Sequence, residues 1–156
     1  MTTRETAEPA AQDRLLGLVR GGGPAGPDEL GRLYDRLQPV SATFMLGTWR
    51  GGLFDESGAM AARLVKLRWY GKRFTGVEDV EPLLCRDDAG GIYSYTGMGM
   101  ARLREMAFRG TVSAAMVYDD RPIIDHFRRV SQDVVMGAMD AKGTDSTLYF
   151  HLTRTN

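Results

Sequence analysis

Residues 103–154 read LREMAFRGTVSAAMVYDDRPIIDHFRRVSQDVVMGAMDAKGTDSTLYFHLTR, and the fold follows from how this stretch is punctuated. Short apolar-rich segments are broken by Gly110, by Asp119-Asp120-Arg121-Pro122, by Ser131-Gln132-Asp133 and by Gly143-Thr144-Asp145. Each break is short enough to join antiparallel neighbours. The stretch therefore predicts a meander with strands over 103–109, 111–118, 122–130, 133–141 and 147–154. Consecutive antiparallel strands leave exposed edges, and closing the sheet on itself removes them.

Upstream, the same spacing of Gly, Asp and Pro predicts strands over 44–53, 69–75, 81–86 and 91–96. The exception is 59–66, where Met60, Leu64 and Leu67 recur at helical spacing among alanines and predict a short helix able to cap one barrel end. Before the strands, Leu30, Leu33, Tyr34 and Leu37 mark one face of a helix that starts at an N-cap Asp28 and stops before Pro39. Leu15, Leu16, Leu18 and Val19 suit a short helix ended by Gly21-Gly22-Gly23-Pro24, and the aperiodic residues 1–12 read as a mobile tail. The expectation is a mainly β chain: residues 1–27 a flexible tail and linker, residues 28–156 one antiparallel closed β-barrel of about eight to ten strands with an N-terminal helix and a capping helix.

Composition narrows the function classes. A chain of 156 residues is about one domain's worth, and 43% hydrophobic with 26% charged residues is ordinary for a globular protein. Twenty basic residues against twenty acidic ones give no global field for nucleic acid or an anionic membrane. Cys85 stands alone, so neither an internal disulfide nor a multi-thiolate metal site is available, and a reducing compartment is the simpler reading. With no basic segment leading into an apolar core, and no run near the roughly 20 apolar residues of a membrane span, a soluble cytoplasmic protein is expected.

Gly47-Thr48-Trp49-Arg50-Gly51 is a G-x-W-x-G motif opening the first long strand, and Arg154 lies on the last. This layout resembles the lipocalin and fatty-acid-binding superfamily, in which the first-strand Trp packs at the closed end of the barrel under an Arg from the last strand. The resemblance implies structural roles for Trp49 and Arg154. Trp69-Tyr70-Gly71-Lys72-Arg73-Phe74, Val112-Ser113-Ala114, Pro122-Ile123-Ile124-Asp125-His126-Phe127-Arg128 and Met139-Asp140-Ala141-Lys142-Gly143 extend it: together they resemble the bacterial family named for its GXWXG motif, whose C-terminal half is described as a domain of unknown function. The likeness runs from about Asp28 to Arg154 and implies a fold more than a biochemistry. The related nitrobindins carry a third glycine where this chain has Leu53 and bind haem through a C-terminal His, which would correspond to His151. Alternation puts His151 on the face opposite Arg154, so if Arg154 turns inward to Trp49, His151 points outward unless a bulge intervenes.

Nine methionines are many for this length. Met45, Met106, Met116, Met136 and Met139 lie on predicted strands, where flexible thioethers suit either core packing or an adaptable pocket. Tyr93, Tyr95, Phe108, Tyr118 and Phe127 are candidates to line the same cavity. On 122–130, Asp125 shares a face with Ile123, Phe127 and Arg129, and His126 shares the other with Ile124, Arg128 and Val130. Whichever face is inward brings an ionisable group to the cavity, either in an internal Asp–Arg pair or for acid–base work with Tyr118. The sequence thus predicts a barrel holding a small, largely apolar metabolite. The alternatives are a cofactor-free isomerase or cyclase of secondary metabolism, with Asp125, His126 and Tyr118 as acid–base groups, and a haem barrel through His151. No metal spacing, hydrolytic triad or nucleotide loop is present. No cofactor, no nucleic acid and a monomer or homodimer complete the expectation.

Overall fold

A computed structural model describes residues 3–155. Helices α1 (Thr3–Val19) and α2 (Pro27–Asp35) precede the strands. These are β1 (Gln38–Pro39), β2 (Gly47–Leu53), β3 (Trp69–Gly76), β4 (Asp79–Arg86), β5 (Ile92–Ser94), β6 (Ala101–Phe108), β7 (Thr111–Tyr118), β8 (Ile123–Arg129), β9 (Val134–Ala141) and β10 (Leu148–Arg154), with helix α3 (Ala59–Lys66) between β2 and β3. The strands run in the order β8-β7-β6-β4-β3-β2-β10-β9, and β9 pairs back onto β8, which closes an eight-stranded antiparallel barrel. The short β1 and β5 pair outside this circuit, on β8 and β4.

The β6–β7 hairpin shows how local chemistry sets register. Arg109 and Gly110 both take positive φ (52° and 81°), the backbone of a tight two-residue turn matched to strand twist, and Phe108 then pairs with Thr111. Three expectations shift. The segment entering β2 is a 3-10 turn (Thr43–Met45) rather than strand. Helix α2 is capped at Gly26 with Pro27 in its first turn, and Asp28 lies inside that turn, because proline's fixed φ suits the first helical position. Helix α1 extends across the residues read as a tail, since Ala11, Leu15 and Leu18 find an apolar surface to bury against, which the local pattern does not reveal.

That surface is the outside of the barrel. Two apolar clusters sit on opposite faces of one wall. The interior holds Trp49, Phe74, Leu83, Leu103, Met116, Phe127 and Leu152. The outer cluster packs Leu15, Leu30, Leu33, Tyr34 and Leu37 of the helical segment onto Val134, Met136, Ala138 and Tyr149. β9 reads as a continuous apolar run because both of its faces are covered. Buried Arg128 fastens the layer by donating to the Tyr34, Asp35 and Phe108 carbonyls, satisfying the exposed carbonyl end of α2.

Candidate functional site

The two ends of the barrel differ. Where β2 begins and β10 finishes, the Trp49 indole is fully buried and donates to the Met45 carbonyl at 2.8 Å, with the Arg154 guanidinium 4.3 Å from its ring. Arg154 also donates to the Phe44 and Leu46 carbonyls, so this end is plugged by a hydrogen-bonded cation–π stack. Trp49 and Arg154 have no exposure to the cavity at the opposite end.

That opposite end, beneath α3, holds the polar exception in an apolar interior. Lys72 Nζ lies 3.2 Å from Asp125 Oδ2, with both side chains 3% exposed. Nζ also donates to the Pro82 carbonyl at 3.1 Å and sits 5.4 Å and 5.3 Å from the Trp69 and Phe150 ring centres. Asp125 Oδ1 is buried with no hydrogen-bond partner among the described residues. Burial is the main influence on both groups, pulling the Lys72 ammonium down and pushing the Asp125 carboxyl up, each opposed by the other's charge. Burial and then Asp125 push the Tyr118 phenol well above its ordinary value.

Several irregularities build this cluster. On β3, Trp69 pairs with Cys85 but Gly71 with Leu84, so one extra residue is inserted and the face flips. Trp69 and Lys72 thereby both point inward, which strict alternation forbids. A compensating irregularity on β4 lies between Leu84 and Glu81 and contains Pro82, whose carbonyl receives Lys72. The rings over Lys72 need space, and glycines supply it: a Cβ on Gly51 would strike the Trp69 ring, and one on Gly137 the Phe150 ring. The final glycine of the motif is thus a seat for an aromatic side chain.

The cavity lined by Lys72, Asp125, Tyr118, Trp69, Phe150 and Met139 is small, about 20 Å³. Met60, Met139 and Leu148 also line a larger, mainly apolar cleft of about 420 Å³ outside it, between α3 and the loop before β10. Three side chains, two of them methionines, therefore stand between the polar cluster and the cleft.

Of the residues singled out from sequence, Asp125, Tyr118 and Met139 come together at this cavity, and Met116 and Phe127 lie deeper in the interior. Tyr95 packs against the interior cluster, whereas Tyr93 is exposed on β5. Phe108 and Met136 lie on the outer face beneath the helices, and Met106 shares the outward parity of Phe108. His126 is outside as well, stacked on Phe108 with ring centres 3.9 Å apart and its Nε2 3.7 Å from Asp140, beyond hydrogen-bonding distance. It cannot reach Asp125 around the strand. The His151 ring is also on the outer face, over Gly52 and 4.8 Å from the Phe54 ring, so it does not fit a haem held inside the barrel. The charged residue missed was Lys72, and with it Trp69, Phe150, Met60 and Leu148; the signals for Lys72 were Gly71 beside it and Pro82 within the facing strand.

No group of three or more His, Cys, Asp or Glu able to hold a metal ion occurs among the described residues, and none of their helices is long and apolar enough to cross a membrane. Comparison with known proteins finds the family described as GXWXG protein over residues 32–90 and a domain of unknown function (DUF4334) over residues 99–154. A crystal structure of a protein from Thermomonospora curvata is 58% identical, with 94% of this chain and 99% of that chain covered and a TM-score of 0.92. No curated protein matches. The two matched regions meet within a single barrel wall, since β4 and β6 pair across the boundary and β2 pairs with β10.

Proposed function

Starting from a chain that belongs to the GXWXG family, we propose that this protein is a small-molecule-binding barrel that takes a largely apolar molecule into the end capped by α3. The observation that carries this reading is the Lys72–Asp125 pair beside a cavity in otherwise apolar surroundings. Burying two charges costs several kcal/mol each, and replacing such a pair by packed apolar side chains is often neutral or stabilising. A pair of this kind is weak support for the fold, whereas a few polar groups in an apolar recess are what ligand recognition uses.

Ligand pockets are commonly about 300–1,000 Å³, so a cavity of about 20 Å³ must merge with the cleft of about 420 Å³ beyond Met60, Met139 and Leu148. Unbranched thioethers re-pack at little cost, which suits Met60 and Met139 to that role. Native mass spectrometry of freshly purified protein, beside a denatured sample, tests the reading. A co-purifying mass of a few hundred daltons, absent from Met60→Trp protein, is the expected result. A bare mass that no apolar small molecule shifts would sink it.

A second reading, cofactor-free isomerisation or cyclisation, is favoured by the opposing displacements of the Lys72 and Asp125 pKa values toward one another. Asp125 would act as base and Lys72 or Tyr118 as acid, with the apolar walls orienting the substrate. His126, outside the wall, has no part in it. Carbon-13 NMR titration of the Lys72 Cε and the Asp125 carboxyl tests this: at least one should titrate between pH 5 and about 9. A pair that stays fully charged across that range excludes acid–base work.

A further inference from the structure

Resting on the interior-binding reading, we infer that the ligand is an elongated apolar molecule ending in an uncharged hydrogen-bond donor, such as a hydroxyl, which it gives to Asp125 Oδ1 while its apolar body lies in the cleft between α3 and the loop before β10. The pair is internally neutral, and the further charge felt at this end, Arg63 of α3, acts on Tyr118 and not on either partner. What it does offer is one acceptor: Oδ2 is committed to Lys72, whereas Oδ1 is buried without a partner in a side chain only 3% exposed. A buried unpaired acceptor is costly, more so when charged, and a donor arriving from the ligand removes that cost.

Lys72 has no comparable opening. Two of its three donors go to Asp125 and the Pro82 carbonyl, and its remaining surroundings include the Trp69 and Phe150 rings. A carboxylate ligand that reached Lys72 would also lie beside Asp125, 3.2 Å from the ammonium, and an ammonium ligand at Asp125 would lie beside Lys72. Like charges forced together in a low-dielectric recess repel strongly, so a neutral donor is favoured over both. The cleft supplies the other half of the match, because Leu30, Ala59, Ala61, Ala141 and Tyr149 give it a mainly apolar lining and it abuts the cavity at Met60, Met139 and Leu148.

The test uses the full chain and three probes of one length: 1-octanol, octanoate and octylammonium. Binding is read by calorimetry and by fluorescence, since Trp69 lines the cavity. Octanol should bind at least about tenfold more tightly than either charged probe. In Asp125→Asn the Lys72 ammonium loses its counter-charge, and the preference should reverse toward octanoate. If that variant fails to fold, Met60→Trp, which alters a half-buried residue at the cavity mouth, should abolish octanol binding while leaving the circular dichroism spectrum unchanged. Equal binding of all three probes, or either charged probe preferred by the unmodified protein, overturns the donor rule and leaves interior binding intact. Absence of binding by every probe overturns the inference, and the co-purified mass then decides the interior-binding reading separately.

Discussion

His151 shows how a single side chain links burial to solution behaviour. Packed over Gly52 and against Phe54, its ring is desolvated, and with the Arg50 charge nearby its pKa falls from 6.5 to about 4. A cationic group with a depressed folded-state pKa contributes stability that is complete above the unfolded value and is lost as pH falls toward the folded one. The window is therefore pH 6.5 down to about 4, and the loss across it is at most about 3 kcal/mol. Urea unfolding at intervals across that window should show a flatter pH dependence in His151→Gln than in the parent, whatever the absolute stability of the variant. An unchanged slope would mean that the imidazole is solvated. At this scale the sequence was partly legible. Alternation assigned Asp125 and His126 to opposite faces and tied the orientation of His151 to that of Arg154. Lys72 was not legible, because period-two reasoning puts it on the face opposite Trp69, and only the inserted residue on β3 brings the two together.

Strands and helices were easier to read than the irregularities within them. α3 occupies the segment its Ala-rich, helically spaced pattern predicts, and the meander strands agree to within two residues of the expected bounds, because turn chemistry and alternation are local signals. Bulges and glycine seats depend on what lies across the sheet, and a strand read alone does not contain that. The seats make unequal demands. A Cβ on Gly71 would collide with the Trp49 carbonyl oxygen, a backbone atom that cannot swing aside. A Cβ on Gly51 would meet the Trp69 ring, which can rotate at the expense of its packing on Phe150. Gly71→Ala should therefore cost about 3 kcal/mol or more, and Gly51→Ala about 1–3 kcal/mol, in urea denaturation. The Gly51 variant should also shift the tryptophan emission, because Trp69 must move. Equal costs with unchanged emission would show that the sheet yields at both sites alike.

Across the whole molecule, the closed barrel was foreseeable from the need to hide strand edges, but the helical layer was not. Helix α1 lacks a strong apolar stripe, and its buried residues make sense only within the cluster they form with α2 and the outer face of β9 and β10, a face that sequence alternation assigns without saying what covers it. The closure itself has a consequence in time. The β6 to β9 meander is built from neighbours in sequence, whereas Arg154, which pairs with Trp49, bonds the Leu46 carbonyl across 108 positions. Joining distant segments spends chain entropy before any contact repays it, and chains dominated by such pairings fold in milliseconds to seconds. The C-terminal meander is thus placed to nucleate early, with the β2–β10 seam completing the circuit late. Until that seam forms, the Lys72–Asp125 pair has no enclosing wall, so the recess comes into being only at the last step of folding.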